Sequence, residues 1–211
     1  MSAIIETTVY TLAELADTAK EKARAWYRRG NLDDDWWDTV TDDFTTICGI
    51  LGVSLQTRAV KLMGGGTRDK PSIYFRGFSS QGDGACFEGW YAYAKASVPR
   101  IKAYAPKDET LNTIAQRLEK IQKRNFFALE ARIEHRGHYY HEQSMLIDVH
   151  RDGAEMTADA EDDVAEALRD LARWLYRSLE TEFDYLNSDE VVDEAIRVND
   201  YTFTADGGRF G

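Results

Sequence analysis

All four histidines, His135, His138, His141 and His150, fall in the stretch 135–150. Imidazole is a common metal ligand and the side chain that most readily moves a proton near neutral pH. Residues 127–135 and 141–149 read as two strands of a hairpin. Their core candidates, Phe127, Leu129, Ala131 and Ile133 on one strand and Met145, Ile147 and Val149 on the other, are all odd-numbered. A side-chain period of two requires odd positions to face odd positions. A three-residue loop, Gly137-His138-Tyr139, meets that condition. It pairs Ala131 with Met145 and Leu129 with Ile147, and it sets His135 opposite His141 on the core face. Cross-strand Cβ atoms lie about 4.5–5.5 Å apart, near enough to share a metal. Zinc ordinarily takes three or four protein ligands. His135 and His141, with His138 as a mobile third, are therefore metal candidates weighed against polar residues that close a sheet end. No metal or cofactor is expected.

Two other places carry chemistry-bearing residues. The loop Ser79-Ser80-Gln81-Gly82-Asp83-Gly84 sits among Tyr74, Phe75, Arg76, Phe78, Cys86, Glu88, Trp90 and Tyr91. Asp83 is placed to accept loop amides as an Asx turn. No helix starts after Gly84, so the loop is neither a phosphate loop nor a dinucleotide fingerprint. It reads as a recognition loop, with Ser79, Gln81 and Asp83 as contacts, or as a self-satisfied turn. Cys86 beside a histidine is a conceivable thiol nucleophile. Its setting between Ala85 and Phe87 favours packing, and Cys48 is likewise read as a buried free thiol.

The charge is lopsided. Residues 152–211 hold 17 Asp/Glu against 5 Arg, a balance of −12, while residues 1–151 hold 20 against 21 Lys/Arg, a balance of +1. A concentrated acidic surface repels nucleic acid and membrane headgroups and attracts basic protein surfaces. Asp159, Asp163, Glu166 and Asp170 fall near one another on a single helix, off its apolar stripe. Their turn-by-turn rise of about 5.4 Å suits imitation of a nucleic-acid backbone. An ordinary solvated face is the competing reading.

The elements that position these residues follow from periodicity. Ile4 to Tyr10 reads as a strand. A helix begins at Thr11, with Glu14 completing a capping box, and ends at Gly30. A second helix opens on Asp33-Asp34-Asp35 and carries Trp36, Val40, Phe44, Ile47 and Leu51 as one stripe. Strands are expected over 53–63, 72–78 and 85–93, and helices over 97–105 and 108–123. The longest helix spans 159–187, its stripe running Val164, Leu168, Leu171, Leu175, Leu179, Phe183 and Leu186. Ser188 caps a last helix, and Tyr201 to Thr204 is a final strand. Hairpins instead of regular βαβ crossovers predict an α+β fold. A mainly antiparallel sheet of about six strands would carry packed helices. One domain is expected over 1–211, with a near-neutral body (1–151) and an acidic helical segment (152–211) packed on it.

The chain has 43% hydrophobic and 12% aromatic residues, enough for a substantial core. No apolar run approaches the roughly 20 residues of a membrane span. The first ten residues lack the basic and apolar regions of an export signal. A soluble cytoplasmic protein, monomer or homodimer, is the expectation.

Three stretches resemble a family of phage- and prophage-encoded proteins sometimes labelled antitoxin-like. They are the helix Tyr10 to Arg28; Trp36-Trp37-Asp38 with Asp42-Asp43-Phe44 and Leu51-Gly52-Val53; and Ile73 to Gly89, with its Gln81-Gly82-Asp83-Gly84-Ala85-Cys86-Phe87-Glu88-Gly89 run. The resemblance implies a phage or mobile-element setting. It brings no catalytic residues with it. Together with the acidic third it predicts a non-enzymatic inhibitor of a host defence complex, of anti-CRISPR or anti-restriction type. That inhibitor would occupy a basic, nucleic-acid-binding site on a host protein without touching nucleic acid or membrane itself. An antitoxin neutralising a basic toxin is the second reading. A small metal-dependent or hydrolytic enzyme using His135 and His141, or Asp83 and Glu88, is the third.

Overall fold

The computed structural model describes residues 6–30 and 35–211. Its helices and antiparallel strands make an α+β fold. The chain divides into two compact units, residues 1–37 with 181–211, and residues 38–180.

The larger unit is built on a four-stranded antiparallel sheet. In spatial order its strands are β1 (Val53–Leu55), β6 (Gly89–Ala92), β7 (Leu129–His135) and β8 (Met145–Arg151). Alternation sorts the two faces. Val53, Tyr91, Ala131 and Val149 pair across the sheet and are buried; Ser54, Trp90, Arg132 and Asp148 pair across it and are exposed. Four helices supply much of the rest of this unit's core, with the buried run Gly84–Phe87. Helix α2 (Asp38–Leu51) buries Phe44, Ile47 and Leu51. Helix α3 (Ser97–Tyr104) buries Ile101, and α4 (Glu109–Arg124) buries Leu111, Ile114, Leu118 and Ile121. Helix α5 (Ala160–Leu186) buries Val164, Leu168, Leu171, Leu175 and Leu179, the first five positions of the predicted stripe, while Phe183 and Leu186 are half-buried. Phe44 packs between Phe87 at 5.3 Å and Trp174 at 6.4 Å. Asp108 serves two elements: one carboxylate oxygen caps α4 at the Leu111 amide (2.8 Å), and the other accepts from the Trp174 indole (2.7 Å).

Two ribbons branch from this sheet, β2 (Thr57–Lys61) with β3 (Thr67–Pro71), and β4 (Ile73–Arg76) with β5 (Gly84–Phe87). They meet β1 and β6 in a ring of three backbone hydrogen bonds. Gln56 donates to Glu88 (2.8 Å), Glu88 to Ser72 (3.0 Å) and Ser72 to Gln56 (2.7 Å). This junction breaks the predicted strand 53–63 at Gln56 and the predicted strand 85–93 at Glu88. The strands therefore gather into one four-stranded sheet and two-stranded ribbons, not a single sheet of about six.

The hairpin register also differs from expectation. Odd residues do face odd residues, but Ala131 pairs with Val149, Ile133 with Ile147 and His135 with Met145. The difference begins before the strand: Phe126 and Phe127 take positive φ in the turn after α4, so Phe127 is not in the ladder and β7 starts at Leu129. Ile133 then meets Ile147, where the expected register would have set it against Gln143, and Leu129 meets Arg151. The connection lengthens accordingly to 136–144 and closes on a 3-10 turn, Glu142–Ser144.

In the smaller unit, α1 (Asp17–Gly30), α6 (Asp189–Val198) and the short pair β9 (Thr202–Phe203) and β10 (Arg209–Phe210) enclose Leu12, Leu15, Ala19, Ala23, Val192, Ile196 and Phe203. Thr11 and Glu14 form the predicted capping box on a single 3-10 turn. Extended backbone at Leu15 interrupts the helix there, which turns its side chain into the core, and α1 restarts at Asp17. Tyr10 bridges Phe203; the rest of the predicted first strand, Ile4 and Ile5 included, lies partly outside the described residues. Asp33 and Asp34 lie outside them too. Helix α2 begins only at Asp38, and Trp36 leaves its predicted stripe to pack on Phe183 at 5.6 Å.

Candidate functional site

The acidic residues singled out on α5 are already matched to arginines. Asp159 pairs with Arg124 of α4. Asp163 meets Arg117 of α4 at 2.9 Å, and Asp170 meets the same guanidinium at 3.5 Å. Arg173 binds Asp170 at 2.5 Å, Glu166 at 2.8 Å and Glu142 of the 136–144 loop at 3.1 Å. The Arg173 hydrogen bond holds the Glu166 carboxyl below its usual range, and Arg124 does the same for Asp159. The smaller unit repeats the pattern. Arg24 bonds Asp193 at 2.6 Å and Asp189 at 2.9 Å, Arg28 bonds Asp189, and Lys22 meets Asp206 at 2.5 Å. Much of the charge asymmetry is thus internal. Acidic helices late in the chain are folded against basic helices that come earlier.

A surplus remains. Asp152, Glu155, Glu161 and Asp162 in the larger unit are exposed and enter no ion pair among the described residues. Glu182, Asp184, Glu190 and Asp200 in the smaller unit likewise enter none. The first group lies on the 152–158 connection and the first turn of α5, where carboxylates also favour the helix N-terminus.

The loop 77–84 is built around Asp83. Its carboxylate accepts from the Ser79 amide (3.0 Å) and the Ser80 amide (2.7 Å), loop amides as expected, but ones that precede it, so the arrangement is not the predicted Asx turn. Tyr176 of α5 donates to the Gly77 carbonyl (3.1 Å) and stacks on Phe78 at 5.5 Å. Ser79 and Gln81 are exposed, while Asp83 turns Oδ2 to the two loop amides.

His135 and His141 do not face each other, since His135 stands opposite Met145. The His135 ring nitrogen Nε2 lies 3.0 Å from the Tyr139 carbonyl. His141 Nδ1 accepts from the Gln143 amide (3.2 Å). Among the described residues no group of three His, Cys, Asp or Glu side chains is placed to hold a metal ion. Instead His135 joins an aromatic cluster. Tyr74 stacks on Tyr140 at 5.3 Å, His135 lies 5.8 Å from Tyr74, and the Arg58 guanidinium sits 5.2 Å over the Tyr74 ring. Glu88 ties this cluster to β7: one oxygen accepts from the Tyr74 hydroxyl (3.2 Å), the other from the His135 amide (3.3 Å). Local sequence gives no sign of this grouping, because its members come from β2, β4, β7 and the loop after it.

Cys86 is fully buried, and burial pushes its thiol up to about 12; burial also raises the Cys48 thiol. A thiolate nucleophile is disfavoured at both. Native protein treated with a chromogenic disulfide at mildly alkaline pH is expected to label neither cysteine until it unfolds. Rapid stoichiometric labelling of the folded chain would contradict this burial. In the smaller unit a cleft of about 570 Å³ opens between Leu12, Lys20, Ile196, Asp200 and Tyr201. No helix among the described residues is long and apolar enough to cross a membrane.

A family model described as a domain of unknown function, DUF8835, matches residues 36–189, well over half of the chain. No curated protein and no solved structure matches it.

Proposed function

The chain belongs to the DUF8835 family, and we propose that it is a protein-binding inhibitor whose anionic surface occupies a basic, nucleic-acid-binding site on a host defence complex. The observation that supports this reading is the carboxylate surplus left after internal pairing. Asp163, Glu166 and Asp170 are ion-paired with Arg117 and Arg173, so much of their charge is balanced within the fold. Asp152, Glu155, Glu161 and Asp162 carry charge that the fold does not consume. The contact region therefore shifts from the middle of α5 to its start and the connection before it. Likeness to phage- and prophage-encoded proteins supplies the setting.

The test is affinity purification from a bacterial host, followed by binding measurements on the captured partner. Affinity should fall steeply with salt, as for association between opposite charges. Replacing Glu155, Glu161 and Asp162 by their amides should weaken binding by about tenfold, at roughly half a kcal/mol for each exposed charge. Asp163→Asn should leave affinity within about twofold by the same reckoning. Salt-insensitive binding to an acidic partner, or equal affinity of the triple variant, would sink the proposal.

A further inference from the structure

The cleft of the smaller unit carries charge that the fold leaves unmatched. The 3-10 turn Leu12–Glu14, the first turn of α1 and the end of α6 surround about 570 Å³. That lies within the roughly 300–1,000 Å³ of small-molecule pockets. Leu12, Ile196 and Tyr201 make its apolar side. The Tyr201 ring is fixed in place: it meets Trp26 edge-on at 5.3 Å and lies under the Arg209 guanidinium at 4.7 Å. Four charged residues, Lys20, Asp193, Arg197 and Asp200, also line the cleft. Two of them are already matched. Asp193 receives the Arg24 fork on both oxygens, at 2.6 Å each, and Arg197 donates to both oxygens of Glu194, at 3.0 and 2.5 Å. Lys20 and Asp200 enter no ion pair among the described residues, either with each other or with another group. Lys20 is half-buried. Asp200 follows α6 in the left-handed conformation, φ +51°, and its amide donates back to the Arg197 carbonyl (3.1 Å).

We infer that this cleft binds a free α-amino acid with an apolar side chain. Charge complementarity selects the occupant. One unmatched cation and one unmatched anion line the same cleft without neutralising each other, so they suit a ligand that carries both signs. The ligand carboxylate accepts from the Lys20 ammonium, and the ligand ammonium donates to the Asp200 carboxylate, both as charge-assisted hydrogen bonds. A simple acid would leave Asp200 unmatched beside its own negative charge, and a simple amine would do the same to Lys20. The terminus of a peptide brings only one of the two charges. Leu12, Ile196 and the Tyr201 ring receive the apolar side chain, and a ring already held by Trp26 and Arg209 loses little freedom when it does so. The inference does not rest on the proposed inhibitory role, which draws on carboxylates of the larger unit.

The test is calorimetric titration of the full chain with L-phenylalanine, L-leucine and L-tryptophan. At least one should bind saturably, with Kd about 1 mM or tighter for a ligand of this size. The matching amine and the matching acid (phenethylamine and 3-phenylpropanoate in the case of phenylalanine) should each bind about tenfold more weakly, having lost one charged contact. Lys20→Gln should weaken the amino acid about tenfold and leave the amine unchanged, because the amine has no carboxylate to lose. Asp200→Asn should weaken the amino acid by a similar factor and leave the acid unchanged. Asn adopts the left-handed conformation as readily as Asp, and Gln matches Lys in helix propensity, so both variants should fold, which circular dichroism checks. Absence of saturable binding by all three amino acids up to about 10 mM would overturn the inference. Equal affinity for the acid or the amine, or variants that bind the amino acid as the parent does, would overturn it too.

Discussion

Gly52→Ala is expected to cost about 3 kcal/mol of folding stability, read as a fall in the urea midpoint with an unchanged slope. Two effects combine. Gly52 turns the chain from α2 into β1 with φ +91°, a left-handed conformation that costs a residue with Cβ about 1–2 kcal/mol. An added Cβ would also stand 2.1 Å from the Ala92 carbonyl oxygen, which is backbone and cannot swing away. Relieving that overlap costs about 1–3 kcal/mol more. The contact cannot simply open, because the Ala92 amide donates to the Gly52 carbonyl at 3.0 Å and so closes the β1 edge of the sheet on β6. Gly49→Ala is the matched control. Gly49 lies inside α2 with nothing within 4 Å of an added Cβ. That substitution should raise stability by about 0.5–1 kcal/mol through helix propensity alone. A Gly52→Ala protein as stable as the parent would show that the turn and β6 are not in contact.

The same geometry explains the most distinctive motif in the sequence. In Phe87-Glu88-Gly89, a Cβ at Gly89 would lie 2.3 Å from the Ser54 carbonyl oxygen, again across the β1–β6 pair. Leu51-Gly52-Val53 and the 81–89 run are therefore two sides of one packed seam, and Glu88 both joins the three-way junction and anchors Tyr74 and His135. The motif was visible as a string of residues, but its reason is a contact between segments distant in sequence. That distinction recurs. Helices α4 and α5 could be read closely because an amphipathic stripe is a local signal. Hairpin parity was also local. The loop length was not, since the turn at Phe126 and Phe127 after α4 takes Phe127 out of the ladder and the register follows from that. The strand breaks at Gln56 and Glu88 arise from a hydrogen-bonded ring that no local pattern encodes. The acidic third could be counted, but Asp163 and its partner Arg117 are 46 residues apart, so composition alone could not separate consumed carboxylates from free ones.

Arg173→Met should remove about 2 kcal/mol of stability at neutral pH, with the loss shrinking as the pH falls. The guanidinium satisfies Glu142, Glu166 and Asp170 together, joining α5 to the 136–144 loop. Removing one member of a fully buried pair costs about 3–5 kcal/mol. Arg173 keeps 29% of its side-chain surface and its partners 14–38%, so water takes over part of the carboxylates' solvation and the figure drops to about 2. The pH dependence follows from Glu166. Its pKa is lower in the folded protein than in the unfolded chain, with Arg173 the main cause. A carboxyl so shifted contributes stability that is fully present above its unfolded pKa and disappears as the pH falls through its folded pKa. The parent should therefore lose stability on acidification through and below the ordinary glutamate range, about pH 4.3. The Met variant, with Glu166 returned toward its ordinary value, should lose less over that interval. Urea titrations of both proteins from neutral to strongly acidic pH would give two curves that converge. Parallel curves would mean that Arg173 acts through the packing of its aliphatic stem and that its ion pairs contribute nothing measurable. The variant also separates the two sets of carboxylates: freeing Glu166 and Asp170 adds anionic surface at the middle of α5, so if surplus charge drives partner binding, Arg173→Met should bind more tightly at low salt while folding less stably.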